Sequence, residues 1–140
     1  MPDVPELIAS IDGASRGNPG PAAYAVVLKV DGEKLSEVSG PLGRATNNVA
    51  EYRALLAALE YALAHRHSRL KVFSDSELLV RQIQGRYKVK SLDLKPLHDL
   101  ARKMAARLEA FSIEHVPRER NREADRLANE TLDRTQPIER

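Results

Sequence analysis

The spacing of hydrophobic residues divides the chain into an N-terminal part with strand periodicity and a longer part in which helices and strands alternate. In the N-terminal part, short apolar runs bounded by turn residues predict strands at 6–12, 23–30 and 34–40. The Gly- and Pro-rich segment 13–21 predicts a loop, and Asp31-Gly32 predicts a tight hairpin turn. This part of the chain therefore predicts an antiparallel meander.

From residue 48 onwards the apolar positions take a helical period. Residues 48–66 predict a long helix, because apolar residues fall on one face and alanines fill the positions between them. The later predicted elements are a strand at 70–75, a helix at 76–83, a basic loop at 85–92, a helix at 94–110, a strand at 111–116, a helix at 122–132 and a frayed tail at 136–140. Strands joined through helices run parallel, whereas hairpin strands run antiparallel. The pattern predicts a single α/β domain, residues 1–140, with a mixed five-stranded sheet flanked by helices.

Composition restricts the functional classes more than net charge does. The 140 residues include no cysteine, which excludes disulfides, zinc–thiolate sites and cysteine nucleophiles and fits a cytoplasmic location. No apolar stretch is long enough for a membrane span, and the N-terminus lacks a signal-peptide pattern. The net charge of +2 favours a polyanionic partner only weakly, and no obligate protein partner is evident. Basic residues concentrate at 81–95 and 118–126, where a solvated surface is the simpler explanation.

Four acidic residues occupy similar places in four different elements. Asp12 and Asp75 each end an apolar strand, Glu51 lies in the first turn of the long helix, and Asp125 lies early in the last helix. In an open sheet with helical crossovers, ligands collect beyond the carboxyl ends of such strands. The shared placement favours one site that all four acids could reach.

Each acid also has an ordinary structural explanation. Asp12 could be a turn residue, Glu51 the partner in a capping box, Asp75 an N-cap, and Asp125 a partner of Arg122 or of the helix dipole. A shared site would instead need cations, because clustered carboxylates repel one another. Oxygen ligands without His or Cys favour Mg²⁺ or Mn²⁺, and two such ions roughly 4 Å apart suit in-line attack on a phosphodiester.

Four ordered motifs resemble those of the type 1 ribonuclease H family, and they cover most of the chain. Residues 12–20 are similar to D-G-[SA]-x-x-x-N-P-G, and residues 46–51 are similar to T-N-N-x-x-E. The third motif is Asp75-Ser76, and residues 115–125 resemble the H-V-P-R-x-x-N-x-x-A-D of one branch of the family. A lone D-G or D-S carries no weight, but four motifs in order on the expected elements are a strong signal.

The resemblance implies an endoribonuclease that hydrolyses the RNA strand of RNA–DNA hybrids with two divalent ions, Mg²⁺ or Mn²⁺. The products would carry 5′-phosphate and 3′-hydroxyl ends. The implied catalytic and metal-binding acids are Asp12, Glu51, Asp75 and Asp125. The implied substrate-binding residues are Asn18 and Asn48 in the minor groove, Thr46 near a DNA phosphate, and Asn47 and Glu77 near the groove. Helix capping or a turn explains Asn18, Thr46, Asn47 and Asn48 as well, and the two roles are compatible.

Substrate choice follows from the shape of the hybrid. An A-form-like duplex has a wide, shallow minor groove lined by 2′-hydroxyls on its RNA strand. Asparagine amides both donate and accept hydrogen bonds, which suits that mixed surface. Contacts to phosphates fix register without reading bases, so we expect cleavage that is largely independent of sequence.

Two features depart from other members of the family. Some members carry a mobile loop histidine after the fifth strand, whereas His115 lies inside the predicted strand, which favours a structural or supporting role. In the loop itself Arg118 is the better catalytic candidate than Glu119, because its guanidinium can reach a phosphate. The chain also has only the loop 85–92 where other members insert a basic protrusion, so we expect a weaker and more salt-sensitive grip on substrate.

Two other functions fit the same fold. A catalytically idle nucleic-acid-binding module is disfavoured, because binding alone would not retain clustered negative charge beside a polyanion. Cleavage of double-stranded RNA or another phosphoryl transfer would keep the site and change the substrate.

Overall fold

The computed structural model describes residues 5–135, in which five strands form one sheet between two layers of helices. The strands are β1 Leu7–Ser15, β2 Gly20–Val30, β3 Glu33–Ala45, β4 Arg69–Ser74 and β5 Ala110–His115, and the helices are α1 Asn47–Ala64, α2 Glu77–Ile83, α3 Lys95–Ala105 and α4 Arg122–Thr135. The strand order is β3-β2-β1-β4-β5, antiparallel from β3 to β1 and parallel from β1 to β5. The predicted mixed five-stranded sheet is confirmed, and the predicted tail at 136–140 lies outside the described residues.

Alternate residues of the central strands face opposite helical layers. Ile11 of β1 is fully buried in a core shared with α1 and α3. On the other face Ala25 of β2 packs in a cluster with Leu127 of α4. Asp12 lies directly opposite Ala25 in the antiparallel pairing, and directly opposed side chains share one face of a sheet. The Asp12 side chain therefore lies on the face that α4 covers.

A row of small residues lets α1 lie close to β1. Ala50, Ala54, Ala58 and Ala62 recur every four residues and are fully buried. Below Ala50 lies Gly13, where an added Cβ would stand 2.3 Å from the Ala50 carbonyl carbon and from the Glu51 nitrogen. A residue with a side chain cannot be placed there without moving the helix. This contact sets the distance between strand and helix beside Glu51.

Several element boundaries differ from the sequence predictions because strand pairing outweighs local composition. The predicted loop at 13–21 is confirmed only at 16–19, since residues 13–15 continue β1 and pair with residues 22–24 of β2, and β2 begins at Gly20. Asp12 consequently lies inside a strand and does not end it. β3 is longer than the predicted 34–40, because its pairing with β2 continues to Ala45 opposite Gly20. The helix predicted at 94–110 ends at Ala105, because the chain turns to bring Ala110 beside Arg69.

The connection between α2 and α3 matches its prediction. Residues 84–94 form turns and an irregular loop that carries Arg86, Lys88 and Lys90, all exposed. A buried hydrogen bond from the Tyr52 hydroxyl to Gln82 Oε1, 2.7 Å long, ties α1 to α2 below this loop. Among residues 5–135, no helix has the length and apolar character that a membrane crossing would need.

Substituting Gly13 tests the close contact between β1 and α1. We expect Gly13→Ala to lower the free energy of unfolding by roughly 1–3 kcal/mol, because the new methyl group overpacks against backbone that cannot rotate away. Urea denaturation in EDTA measures this change. Ser112→Ala, at an exposed position of β5, is the control and should stay within about 0.5 kcal/mol of the native chain. Equal stability of the two variants would show that the contact is not tight.

Candidate active site

Three carboxylates from distant parts of the chain converge at one edge of the sheet. Asp12 lies inside β1, Glu51 is in α1, and Asp75 directly follows β4. The parallel pairing places Ile11 beside Ser74, so the next residue of each strand lies at the same edge. One oxygen from each of the three carboxylates lies within 4.8 Å of the other two. Asp12 and Glu51 are buried, with 5% and 4% exposure, and Asp75 is half-buried.

The backbone of β1 holds Glu51 in this cluster. The Gly13 N–H donates a buried hydrogen bond of 2.8 Å to Glu51 Oε1. The N-cap of α1 is Thr46, whose hydroxyl accepts a bond from the Val49 N–H at 3.2 Å. The capping-box explanation of Glu51 is therefore wrong, because the carboxylate turns to the strand and not back to the helix start.

Asp75 is likewise free of a capping role. The N-cap of α2 is Ser76, and its hydroxyl accepts a hydrogen bond from the Leu79 N–H at 3.2 Å. The Asp75 carboxylate is therefore not used to cap α2 and faces the cleft. The neighbouring Ser74 hydroxyl accepts from the Ser76 N–H at 3.0 Å, which supports the turn that joins β4 to α2.

The fourth acid joins from the helix on the opposite face of the sheet. Asp125 is on α4, and its carboxyl is close enough to Asp12 to help raise the pKa of that acid. The four acids line one open cleft of about 400 Å³. The cleft is lined by Asp12, Gly13, Ala14, Ser15, Asn47, Glu51, Asp75, Ser76, Arg118, Asp125 and Asn129.

Burial and mutual repulsion make the ionised cluster unfavourable in the protein alone. Burial, the Asp75 charge and the Asp125 carboxyl together raise the pKa of Asp12 to about 8. Burial, followed by the charges of Asp12 and Asp75, raises the pKa of Glu51 well above its ordinary value, and the Gly13 N–H only partly opposes this. Carboxylates that are buried together become stable as anions when cations bind between them. These residues therefore fit hard divalent ions such as Mg²⁺ or Mn²⁺, which prefer oxygen ligands.

Comparisons with known proteins agree with this geometry. The family model described as reverse transcriptase-like matches residues 10–131. The chain is 45% identical over 126 residues to Ribonuclease HI of Halobacterium salinarum, covering 89% of this chain and 63% of that protein. The crystal structure of RNase H1 from the same archaeon superposes with a TM-score of 0.90 at 44% identity, covering 93% and 99% of the two chains. The chain belongs to the type 1 ribonuclease H family.

Two further relatives show how this ribonuclease H domain occurs elsewhere. LC11-RNase H1, solved in complex with an RNA/DNA hybrid, matches with a TM-score of 0.88 at 41% identity, covering 94% of this chain and all of the other, 100%. The Bifunctional protein Rv2228c of Mycobacterium tuberculosis is 47% identical over 130 residues, which cover 91% of this chain. The chain spans 36% of that protein, and 63% of the Halobacterium relative.

The remaining residues implied by the ribonuclease H resemblance fall into three places. Asn47 and Arg118 line the acidic cleft. A second depression, of about 200 Å³, is lined by Asn18, Thr46, Asn48, Ser91, Asp93 and Leu94. Asn18 Oδ1 accepts a hydrogen bond from the Asn47 N–H at 3.1 Å, so Asn18 and Thr46 both bind the start of α1. Glu77 is exposed at the first turn of α2, and His115 is exposed at the last residue of β5. The functional roles of these residues stay predictions.

Sequence reasoning missed Asn121, which connects the two halves of the ribonuclease H site. Asn121 is 2% exposed, and its Nδ2 donates a buried bond of 2.8 Å to the Ile11 carbonyl, one residue before Asp12. Its own carbonyl accepts from the Asp125 N–H at 3.1 Å. Asn121 thus joins the strand of one acid to the helix of another. The only signal in the sequence was its place in the motif at 115–125, which gives no contact.

The raised pKa of Asp12 predicts how the stability of the metal-free protein depends on pH. Because the folded protein keeps a proton that the unfolded chain loses above pH 4, the free energy of unfolding should fall as pH rises from about 4 to about 8. Divalent ions should reverse part of this loss, adding about 2.7 kcal/mol at a concentration one hundred times their dissociation constant. Thermal unfolding from pH 4 to 8, in EDTA and in Mg²⁺, measures both effects. Asp12→Asn should flatten the dependence on pH in EDTA, and an unchanged slope would contradict the assignment.

Removing the Asn121 side chain should uncouple strand and helix. Asn121→Ala leaves the buried Ile11 carbonyl without its donor, and we expect a loss of about 1–3 kcal/mol in the free energy of unfolding. Chemical denaturation gives the value. The control is Arg126→Ala, at an exposed position of α4, the helix that Asn121 precedes. It should change the free energy of unfolding by less than about 0.5 kcal/mol. A loss no larger for Asn121 than for Arg126 would refute the connection.

Proposed function

We propose that this chain hydrolyses the RNA strand of RNA–DNA hybrids with two divalent ions, Mg²⁺ or Mn²⁺. The observation that carries the proposal is the group of three carboxylate oxygens within 4.8 Å of one another, two of them on buried residues. Such a group is costly for the fold and suits cations that neutralise it. The relative solved with an RNA/DNA hybrid supports the choice of substrate.

Asp12, Glu51, Asp75 and Asp125 are the residues that would hold the ions. Two bound ions supply stabilisation of the negative charge on the attacking and leaving oxygens of an in-line displacement. The chain contributes a prearranged set of ligands: the Gly13 N–H fixes one oxygen of Glu51 and leaves the other for the cleft. Asp12 lies close to each of the other acids, so it is central to the set. The inferred products carry 5′-phosphate and 3′-hydroxyl ends.

Substrate binding is assigned to the surface around the start of α1. Asn18, Asn48 and Thr46 line the second depression, and Asn47 lines the cleft on the other side of the helix start. Amides that donate and accept suit the 2′-hydroxyls and base edges of the minor groove. The Thr46 hydroxyl, beside the positive end of α1, suits a phosphate.

Two more residues are assigned from their positions next to the acids. Arg118 lies in the 3₁₀ turn Arg118–Arg120 and lines the cleft, where its guanidinium suits the scissile phosphate. Glu77 follows Ser76, which lines the cleft, and this neighbourhood supports a role for Glu77 near the minor groove. Contacts of this kind bind the phosphate backbone and fit the shape of the groove without reading the bases. We therefore infer cleavage that depends little on nucleotide sequence.

Cleavage of a labelled RNA–DNA hybrid, with Mg²⁺ and then with Mn²⁺, tests the proposal. We expect metal-dependent cutting within the RNA strand, and a loss of more than about 100-fold for Asp12→Asn, because even indirect disturbance of a metal site costs 10–100-fold. The matched control is Asp31→Asn, which removes an equal charge at the exposed turn that joins β2 to β3. This variant should cut the hybrid at the native rate.

Parallel assays on double-stranded and single-stranded RNA separate the alternatives. If the chain cuts double-stranded RNA faster than the hybrid, double-stranded RNA and not the hybrid is its substrate. Tight hybrid binding without metal-dependent turnover would identify an idle binding module. Undiminished cutting by Asp12→Asn would remove the metal-site mechanism altogether.

A further inference from the structure

Asn129 lies in the acidic cleft, although no motif of the sequence marks it. It is on α4, four residues after Asp125, so both side chains are on the same face of the helix. It lines the cleft together with the four acids. Its Nδ2 donates a bond of 2.9 Å to the Asp125 carbonyl, and the same nitrogen lies 3.4 Å from Asp125 Oδ1.

Among the four acids, the carboxylate of Asp125 depends most on a further contact for its orientation. The other three offer oxygens within 4.8 Å of one another, and Glu51 is further fixed by the Gly13 N–H. Asp125 is half-buried on a helix and joins the group through Asp12. An aspartate on a helix surface has more than one staggered rotamer, and only some of them face the cleft.

We propose that Asn129 is a positioning residue that orients the Asp125 carboxylate toward the metal site. The amide nitrogen donates to the Asp125 carbonyl and also lies within hydrogen-bonding distance of Asp125 Oδ1. This contact limits rotation of the carboxylate and leaves its second oxygen free. Because the amide is neutral, it orients the anion without placing a positive charge where a divalent ion would bind. Partners of this kind, one contact removed from a metal, commonly change its affinity or activity by 10–100-fold.

This inference rests on the proposed function, and its test uses metal binding as well as catalysis. Calorimetric titration of the full chain with Mn²⁺ should show an affinity about tenfold weaker for Asn129→Ala, with kcat on the hybrid lowered by a similar factor and KM little changed. Asn129→Leu, which keeps the branched shape and the number of side-chain heavy atoms without the donor, should match the Ala variant. Asn129→Gln, which keeps an amide donor, should recover part of both losses.

A double-mutant cycle and a stability measurement separate positioning from a general structural role. In the Asp125→Asn background, Asn129→Ala should have no further effect on Mn²⁺ binding, because the carboxylate it orients is gone. The melting temperature in EDTA should be the same for Asn129→Ala and for the control Glu130→Ala, an exposed neighbour outside the cleft.

Three results would overturn the inference. The first is native Mn²⁺ affinity and kcat in the Ala and Leu variants while the native chain binds Mn²⁺ and cuts the hybrid. The second is an effect of Asn129→Ala that persists undiminished without Asp125. The third is a native chain that neither binds Mn²⁺ nor cuts, which would overturn the proposed function together with the inference.

Discussion

The hydrogen bond from the Gly13 amide to Glu51 depends on a close approach of two backbones, and the site is built around that approach. Gly13 lacks the Cβ that would meet Ala50 and Glu51 at 2.3 Å, and the alanine row of α1 continues the contact along β1. The helix can therefore lie low enough to bring a buried carboxylate beside Asp12. A larger residue at either surface would separate the two acids.

The close approach of β1 and α1 also buries acidic groups, so the site destabilises the fold when no metal is bound. Burial and neighbouring charges raise the pKa of both Asp12 and Glu51, which means that the fold opposes their ionisation. The hydrophobic cores on both faces of the sheet stabilise the fold and offset this cost. A divalent ion relieves the repulsion, so binding of metal and stability of the fold are coupled.

Neutral amides make contacts beside the acids on β1, α1 and α4. The Gly13 N–H holds Glu51, and the Asn121 side chain ties the strand of Asp12 to the start of α4. Asn129 lies one helical turn beyond Asp125 and reaches its carbonyl and carboxylate. Amide donors direct the oxygens of a carboxylate and add no charge, so the negative potential that attracts cations is kept. A lysine or arginine in place of Asn129 would add a positive charge beside the acids and would compete with the metal.

The sequence by itself determined the class of fold, the order of its elements and the four acids, because these follow from hydrophobic period and from motifs that are local in the chain. The period of residues 48–66 was enough for α1, whereas residues 13–15, at the start of the Gly- and Pro-rich segment 13–21, resembled a loop until their pairing with β2 was known. Only the tertiary structure decided which acids are buried and what holds them. Glu51 is bound across 38 positions of the chain and Asn121 across 110, and a local pattern carries no information on contacts between such distant residues.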